Sequence, residues 1–501
     1  MSNASTRLPR ELYRAADVRR LDALAMEDHG IPGLTLMERA GAAVFSTLTS
    51  RWPEARRVLV CCGSGNNGGD GYIVATLARQ RGLEVSVLAV SEPDRLAGDA
   101  AAAVEGARAA GVPIRAWPVR AREGRLAERP DVIVDALLGT GLDRAVEGAY
   151  AEVIDAMNGA GVPRLAVDIP SGLHADSGQV LGRAVKADLT VSFIGLKQGL
   201  FTGDGPQYGG SVAYDGLGVP EAVRRAVAPS ALRLGPVKGT PLLAPRARNA
   251  HKGHFGHVLV VGGNRGMAGA ARMAGVAALR TGAGLVSVAT VPEAPAPPEP
   301  ELMVHGVAGR RELEPLLAQA TVVAVGPGLG TDAWGREMFA ACLGAQRPLV
   351  VDADALNLLA FEGASREDWV LTPHPGEAGR LLGTSAAAVQ ADRFAALEQL
   401  RRRYGGTVVL KGCGTLVGGP GGPPGACDTG NPGMASGGMG DLLTGVIAGL
   451  MAQGLTAPDA ARAGVWVHGA AGDREARRGE RGMVATDLLA GIRAEVNEYG
   501  R

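Results

Sequence analysis

The chain has 501 residues, with 51 Lys plus Arg balanced by 51 Asp plus Glu, so its formal net charge is zero and no global basic field is available to hold nucleic acid or an anionic membrane. At ~150 residues per domain, the length implies two or three domains, each able to bury a core. Hydrophobic residues make up 46% but aromatic residues only 4%, so the cores must be built from Ala, Val, Leu and Gly, as in parallel α/β sheets with close helix packing.

Residues 11–50 carry apolar positions at helical spacing and are predicted as helices, "LYRAADVRRLDALAMEDHG" and "GLTLMERAGAAVFSTLTSRW". Strands then alternate with helical segments, at "RRVLVCC", "LEVSVLAV", "DVIVDALLG", "RLAVDIPSG" and "DLTVSFIGL". Continuous apolar strands separated by helices indicate a parallel sheet covered on both faces. The pattern fades near residue 220, and prolines break up the next stretch. We therefore read domain 1–225, linker 226–244 and domain 245–501. The second domain repeats the alternation with "HVLVVGG", "GLVSVAT", "TVVAVGPG", "PLVVDAD", "WVLTPHPG" and "TVVLKGCG", and closes on Ala/Gly-rich helices starting near Asp441. The segments 291–301 and 417–426 read as surface loops. The halves show no sequence repeat, so two unrelated α/β domains stand in tandem.

The cysteines Cys61, Cys62, Cys342, Cys413 and Cys427 form no C-x-x-C pair, which fits reduced structural thiols. No signal-peptide pattern and no run of ~18 uncharged apolar residues occurs, so the expectation is a cytoplasmic protein without a membrane span. Lysines are few: Lys186, Lys197, Lys238, Lys252 and Lys411. A lysine inside a glycine-rich motif is therefore harder to dismiss as surface filler.

Open parallel sheets bind ligands beyond the carboxyl ends of their strands. In the first half those ends carry Asn66, Asn67 and Asp70, then Asp135, then Asp168 and Ser171, then Lys197, each beside glycines. Gly63, Gly65 and Gly68 match G-x-G-x-x-G, and Glu92 stands about where a ribose-binding acid would be in a dehydrogenase. Yet carboxylates beside those glycines would repel a pyrophosphate. Asp135 and Asp168 facing one crevice argue instead for a cation among the ligands, and amide, carboxylate and hydroxyl oxygens suit a hard one. The bland alternatives are that Asp70 caps the following helix and Asp168 a turn.

"GIPGLTLMERAG", "GSGNNGGDG", "VDALLGTGL", "VDIPSGL" and "LTVSFIGLKQG" closely resemble the NAD(P)H-hydrate epimerases over roughly residues 10–220. These enzymes interconvert the R and S forms of coenzymes damaged by a hydroxyl on C6 of the reduced nicotinamide. The resemblance implies a Rossmann-like three-layer domain. It implies a potassium ion on Asn67, Asp135 and Ser171, and hydrate contacts from Asn66, Asn67, Gly68, Gly69 and Asp70. Further contacts are implied from Gly139, Thr140, Gly141, Leu142, Asp143, Arg144 and Ala145, and from Asp168. Asp168 is the candidate acid/base, with Lys197 tuning it.

The second half has no Walker loop. In "GNPGMASGGMGDLLTG" the glycines 437, 438 and 440 precede a predicted helix, an arrangement of backbone N–H groups that binds anions. Asp441 there makes sense if it works on a hydroxyl; otherwise it caps the helix. "VLKGCGT" offers Lys411 and Thr415 as a nucleotide cradle, "LTPHPGEAGRLLG" presents His374 between prolines, and "VGPGLG" brings Gly326, Gly328 and Gly330 to a strand end. His251, His254 and His257 precede a strand, which speaks against a metal site.

These strings, with "HKGHFGHVLVVGG" and "VVDADALN", resemble the ADP/ATP-dependent NAD(P)H-hydrate dehydratases over about 245–495. That family is ribokinase-like. The resemblance implies nucleotide contacts from Lys411, Gly412, Cys413, Gly414, Thr415 and Gly440. It implies hydrate contacts from Ala270, Gly328, His374 and Asp441, with ADP (or ATP) as co-substrate and Mg2+ accompanying it. The substrates would be NADH hydrate and NADPH hydrate, with Asp168, Lys197 and Asp441 catalytic, in a homo-oligomer. The alternative is a ribokinase-like vitamin-precursor kinase fused to a non-catalytic nucleotide-binding module.

Overall fold

A computed structural model describes residues 8–117, 129–239, 241–294 and 299–500. The chain divides into two compact units, Met1–Leu232 and Arg233–Arg501.

The first unit holds a seven-stranded sheet in the order Ile114–Ala116, Glu84–Ala89, Arg57–Cys62, Val132–Ala136, Arg164–Val167, Leu189–Phe193, Ser211–Asp215. Every neighbouring pair is parallel. The chain starts in the middle at Arg57–Cys62, moves outward, then returns to the other side of that strand at Val132. The strand order therefore reverses between Arg57–Cys62 and Val132–Ala136, where an open sheet leaves a crevice.

Side chains alternate between the two faces. Val58, Val60, Val85, Val87, Val132 and Val134 pack with helices Ala15–Glu27, Gly33–Arg51, Asn66–Gln80 and Gly98–Ala109. Leu59, Cys61, Leu88 and Ile133 pack with Val153, Ile154 and Met157 of helix Gly148–Asn158. Both faces are covered, which is why the strands are continuously apolar and the layering is the expected Rossmann-like one.

Several segments depart from what the local pattern suggests. Glu11–Tyr13 is a strand, not the start of a helix: it pairs parallel with Leu196–Lys197 and antiparallel with Ala231–Leu232. Ile114–Ala116 and Ser211–Asp215 are strands that the alternation did not reveal. The proposed linker contains strand Ala231–Arg233. Pieces of three to five residues fall below the window in which periodicity can be read.

In the second unit, Met303–Gly306, Leu285–Thr290, His257–Val261, Val322–Val325, Leu349–Val351, Trp369–Leu371 and Thr407–Leu410 lie parallel in that order. Leu416–Gly418 and Gly425–Ala426 extend the sheet antiparallel, joined by the glycine-rich loop. Of the proline-rich segment, residues 295–298 lie outside the described residues. One face packs on helices Ala268–Thr281, Met439–Ala452, Ala457–Ala476 and Leu488–Glu498. The low aromatic content fits this layer: a Cβ at Gly445 would meet the Ala274 carbonyl at 2.0 Å, so helices Ala268–Thr281 and Met439–Ala452 pack backbone against backbone. The strand order reverses between His257–Val261 and Val322–Val325, leaving a second crevice at their carboxyl ends.

Candidate active sites

In the first crevice the glycines bring loops into contact. A Cβ on Gly63 would lie 1.8 Å from the Leu137 carbonyl, and one on Gly68 would lie 2.3 Å from the Gly63 carbonyl. The two strand-end loops therefore touch, and Asn67 Nδ2 donates to the Leu138 carbonyl at 3.0 Å. Helix Asn66–Gln80 begins after Gly65 with no side-chain cap, leaving its first N–H groups open; Asp70 lies past that first turn and caps nothing.

Asp135 is fully buried. Its Oδ1 accepts from Ser171 Oγ at 2.6 Å, and its Oδ2 from the Ser171 N–H at 2.8 Å. Ser171 Oγ in turn accepts from the Leu138 N–H at 2.8 Å. Asn67 and Ser171 thus converge on the backbone of Leu138, and Asp135 holds Ser171 and accepts from the Leu137 N–H at 3.3 Å. Burial pushes the Asp135 carboxyl up to about 6, opposed by its hydrogen bonds from Ser171 and Leu137. Among the described residues no cation pairs with it. The expectation that Asp135 and Asp168 share the open crevice holds only for Asp168, because Asp135 lies beneath the floor.

Asp168 adopts the left-handed region, φ 66°, rare for a residue with a side chain. Its Oδ1 accepts from Lys197 Nζ in a close ion pair and from the Phe193 N–H at 3.0 Å. Lys197 is wholly buried, and also donates to the Phe193 carbonyl at 3.2 Å. Above them opens a cavity of about 720 Å³ lined by Asn66, Asn67, Asp70, residues 139–144, Asp168 and Lys197. Asp22 lines it too, and burial pushes its carboxyl up to about 6; burial holds Asp70 well above the usual carboxylate range.

The second crevice centres on Lys411. Its Nζ donates to Asp352 Oδ1 at 2.7 Å and lies 3.8 Å from Glu377 Oε2. Asp352 is buried and accepts from Thr372 Oγ1 and Thr444 Oγ1, both at 2.8 Å. A Cβ on Gly440 would stand 3.3 Å from Lys411 Nζ, so the ammonium is aimed at the glycine-led start of helix Met439–Ala452. That helix opens two residues earlier than expected, at Met439, and has no side-chain cap. Asp441 is therefore in its first turn but is not a capping group. Burial, reinforced by Asp352, pushes the Asp441 carboxyl up to about 7; burial likewise pushes Glu377 to about 7. Beneath the turn, the buried Arg393 guanidinium donates to the carbonyls of Leu410 at 3.1 Å and Lys411 at 3.2 Å.

His374 does cap: its Nδ1 accepts from the Gly376 N–H at 3.0 Å at the start of helix Pro375–Leu382. The proton therefore sits on Nε2, 3.3 Å from Glu377 Oε1. Burial, with Lys411 nearby, lowers its pKa.

Residues 33–199 match the family described as YjeF-related protein N-terminus, and residues 258–493 match the NAD(P)H-hydrate dehydratase family. The bifunctional NAD(P)H-hydrate repair enzyme Nnr of Coxiella burnetii is 51% identical over 97% of this chain and 99% of its own length. This chain belongs to the bifunctional NAD(P)H-hydrate repair enzymes. The Escherichia coli member is 45% identical, covering 98% of this chain and 95% of its own. A Bacillus subtilis ADP/ATP-dependent NAD(P)H-hydrate dehydratase, crystallised with ATP/Mg2+, is 28% identical with a TM-score of 0.45, covering 52% of this chain and 95% of that one.

Membership in the repair-enzyme family displaces both the vitamin-kinase and the dehydrogenase readings. Glu92 is exposed and paired with Arg95 at 2.7 Å, away from the cavity. Within this repair-enzyme chain, Gly68 and Gly69 lie behind the cavity wall, Gly69 against Met37, and Ala145 is likewise not in the lining. Ala270 and Gly328 are neighbours: a Cβ on Gly328 would meet the Ala270 Cβ at 3.2 Å. Thr415 Oγ1 donates to the Gly412 carbonyl at 2.9 Å, closing the Lys411–Thr415 turn. Sequence reasoning missed Asp352, Glu377 and Asp22. Asp352 carried a readable signal, an acid at the end of "PLVVD", the same signal that marked Asp168.

Proposed function

We propose that the first unit epimerises R- and S-NAD(P)H hydrates and that the second dehydrates the S form to NAD(P)H, converting ADP to AMP and phosphate. The observation that carries the second half is the Asp441 carboxyl, which caps nothing and feels the Lys411 charge, at an open glycine-led helix start to which Lys411 points. Incubating the protein with mixed R,S-NADH hydrate and ADP tests it. Nicotinamide absorbance should return and both epimers should disappear; no turnover of either would refute it.

In the first cavity Asp168 is presented to the substrate by Lys197 and the Phe193 N–H. We assign it to remove the proton of the C6 hydroxyl as the C6–N1 bond opens, leaving a carbonyl at C6 and the bonding electron pair on N1, which takes up a proton from the acid on the other side. The ring recloses on the other face and the proton returns. Asp70, whose burial favours the protonated form, supplies the complementary acid in the same cavity.

The donor set under that floor has the chemistry of a monovalent-cation site. Asp135 is a buried carboxylate whose described partners are hydrogen-bond donors only, and Asn67, Ser171 and the Leu138 carbonyl add oxygens of the kind potassium takes. We assign potassium to Asn67, Asp135 and Ser171. When bound, it would fix the two touching loops and compensate the buried charge.

In the second crevice hydroxide is a poor leaving group from C6. We propose that the hydroxyl oxygen attacks the β-phosphorus of ADP while Asp441 takes its proton, and AMP departs. The phosphate then leaves C6, pushed by the ring-nitrogen lone pair, and loss of a ring proton restores the dihydronicotinamide. The Lys411 ammonium and backbone N–H groups at the helix start stabilise the developing phosphate charge. Asp352 is a positioning residue, holding Lys411 from a carboxylate itself fixed by Thr372 and Thr444. Ala270, Gly328 and His374 are assigned to the hydrate, and Lys411–Thr415 with Gly440 to the nucleotide. Mg2+ would ride on the nucleotide phosphates beside Asp352 and Asp441, since it keeps phosphate and water ligands readily.

A further inference from the structure

We propose that Arg19 is a phosphate-binding, specificity-determining residue of the first cavity, holding a phosphate of the dinucleotide whose nicotinamide end lies at Asp168; this rests on the epimerase reading of that cavity. Arg19 belongs to helix Ala15–Glu27, which buries Val18, Leu21, Leu24 and Ala25. The strand just before it is paired Leu12 to Leu196 and Tyr13 to Lys197, and the Ala15 N–H donates to Asp176 Oδ1 at 2.7 Å. The helix is thereby pinned to the segment that carries Lys197. Its stripe Arg19, Asp22, Met26, at i, i+3 and i+7, then lines the cavity. The stripe lies outside residues 33–199, the part that matches the family description.

Charge makes the assignment. The cavity lining carries the acids Asp22, Asp70, Asp99, Asp143 and Asp168 against the cations Arg19, Arg144 and Lys197. Lys197 is consumed by Asp168. A dinucleotide brings a pyrophosphate, and its phosphorylated form a further phosphate, into a lining that holds more acidic than basic side chains. The cations left to meet them are Arg19 and Arg144. Arg19 is exposed and, among the described residues, makes no ion pair or hydrogen bond, although Asp22 stands one turn away. Its planar fork of donors is thus available, and a guanidinium matches phosphate oxygens in a way an ammonium does not.

The experiment measures epimerisation by the full-length protein, without ADP, on R-NADH hydrate and R-NADPH hydrate at several salt concentrations. Arg19→Gln should raise KM about tenfold, the loss expected for one charge-assisted contact, with kcat within about twofold and a shallower salt dependence. Arg19→Lys should recover part of the loss. Arg20→Gln, an exposed arginine on the same helix outside the lining, should leave KM unchanged. An equal penalty on both substrates assigns the pyrophosphate; a penalty confined to NADPH hydrate assigns the extra phosphate. Wild-type KM and salt dependence in Arg19→Gln on both substrates would overturn the proposal. Failure of the wild-type protein to epimerise either one would instead overturn the epimerase reading.

Discussion

Three residues with side chains, Asp168 at φ 66°, Ile194 at φ 56° and Ala353 at φ 49°, hold positive-φ backbone just past strands inside the sheets, Ala353 directly after Asp352. Such conformations cost about 1 kcal/mol or more and persist where surrounding contacts over-determine them. At the first, the carboxylate so placed reaches Lys197. Replacing Asp168 by Asn keeps the volume and removes the base. Epimerisation should fall by about 10²- to 10⁴-fold with dehydration unchanged, as read by separating the epimers. Asp441→Asn should abolish dehydration while ADP still binds by calorimetry. Because the Asp441 carboxyl is pushed up to about 7 and must be ionised to take a proton, the dehydration kcat should rise with pH and level off above that value. Lys411 lowers the Asp441 pKa, so Lys411→Met should move the rising limb to higher pH. A kcat flat from acid to alkaline pH would remove Asp441 as the base.

Among the elements, the decisive contacts are between strand-end loops. Gly63→Ala would drive a Cβ into the Leu137 carbonyl and separate the Leu138 carbonyl from Asn67. Overpacking of this kind costs about 1–3 kcal/mol. The variant should lose epimerisation and melt earlier in its first unit, observed by calorimetry. Asp135→Asn tests the cation without relying on activity. Potassium should raise the melting temperature of the wild-type first unit over that in a large organic cation, and this increment should vanish in the variant. An unchanged increment would move potassium elsewhere.

At the level of the whole molecule, the units have separate cores, and each crevice is built from its own unit's residues. The activities should therefore be separable. Given mixed hydrates and ADP, Asp168→Asn should stall once the S form is consumed, whereas Asp441→Asn should equilibrate the epimers and recover no coenzyme. Mixing the two variant proteins should restore full recovery. Recovery that fails on mixing would show that each chain needs both of its sites intact.

The α/β class, the main strands and the loops that carry chemistry were all legible along the chain. Continuous apolar runs such as "VLVCC" and "VLVV" are local signals, and glycines beside polar residues mark strand ends wherever the strands lie. Tertiary structure alone decided which charges meet. Asp168 and Lys197 are 29 residues apart, and Asp352 and Lys411 are 59. Those separations become hydrogen bonds only through strand order, which no local periodicity encodes. The same holds for Asp135 sinking beneath the floor and for helix Ala15–Glu27 turning Arg19 and Asp22 into the cavity. Each follows from long-range pairing, Tyr13 with Lys197 among them, whose free energy depends on the assembled sheet rather than on neighbouring residues.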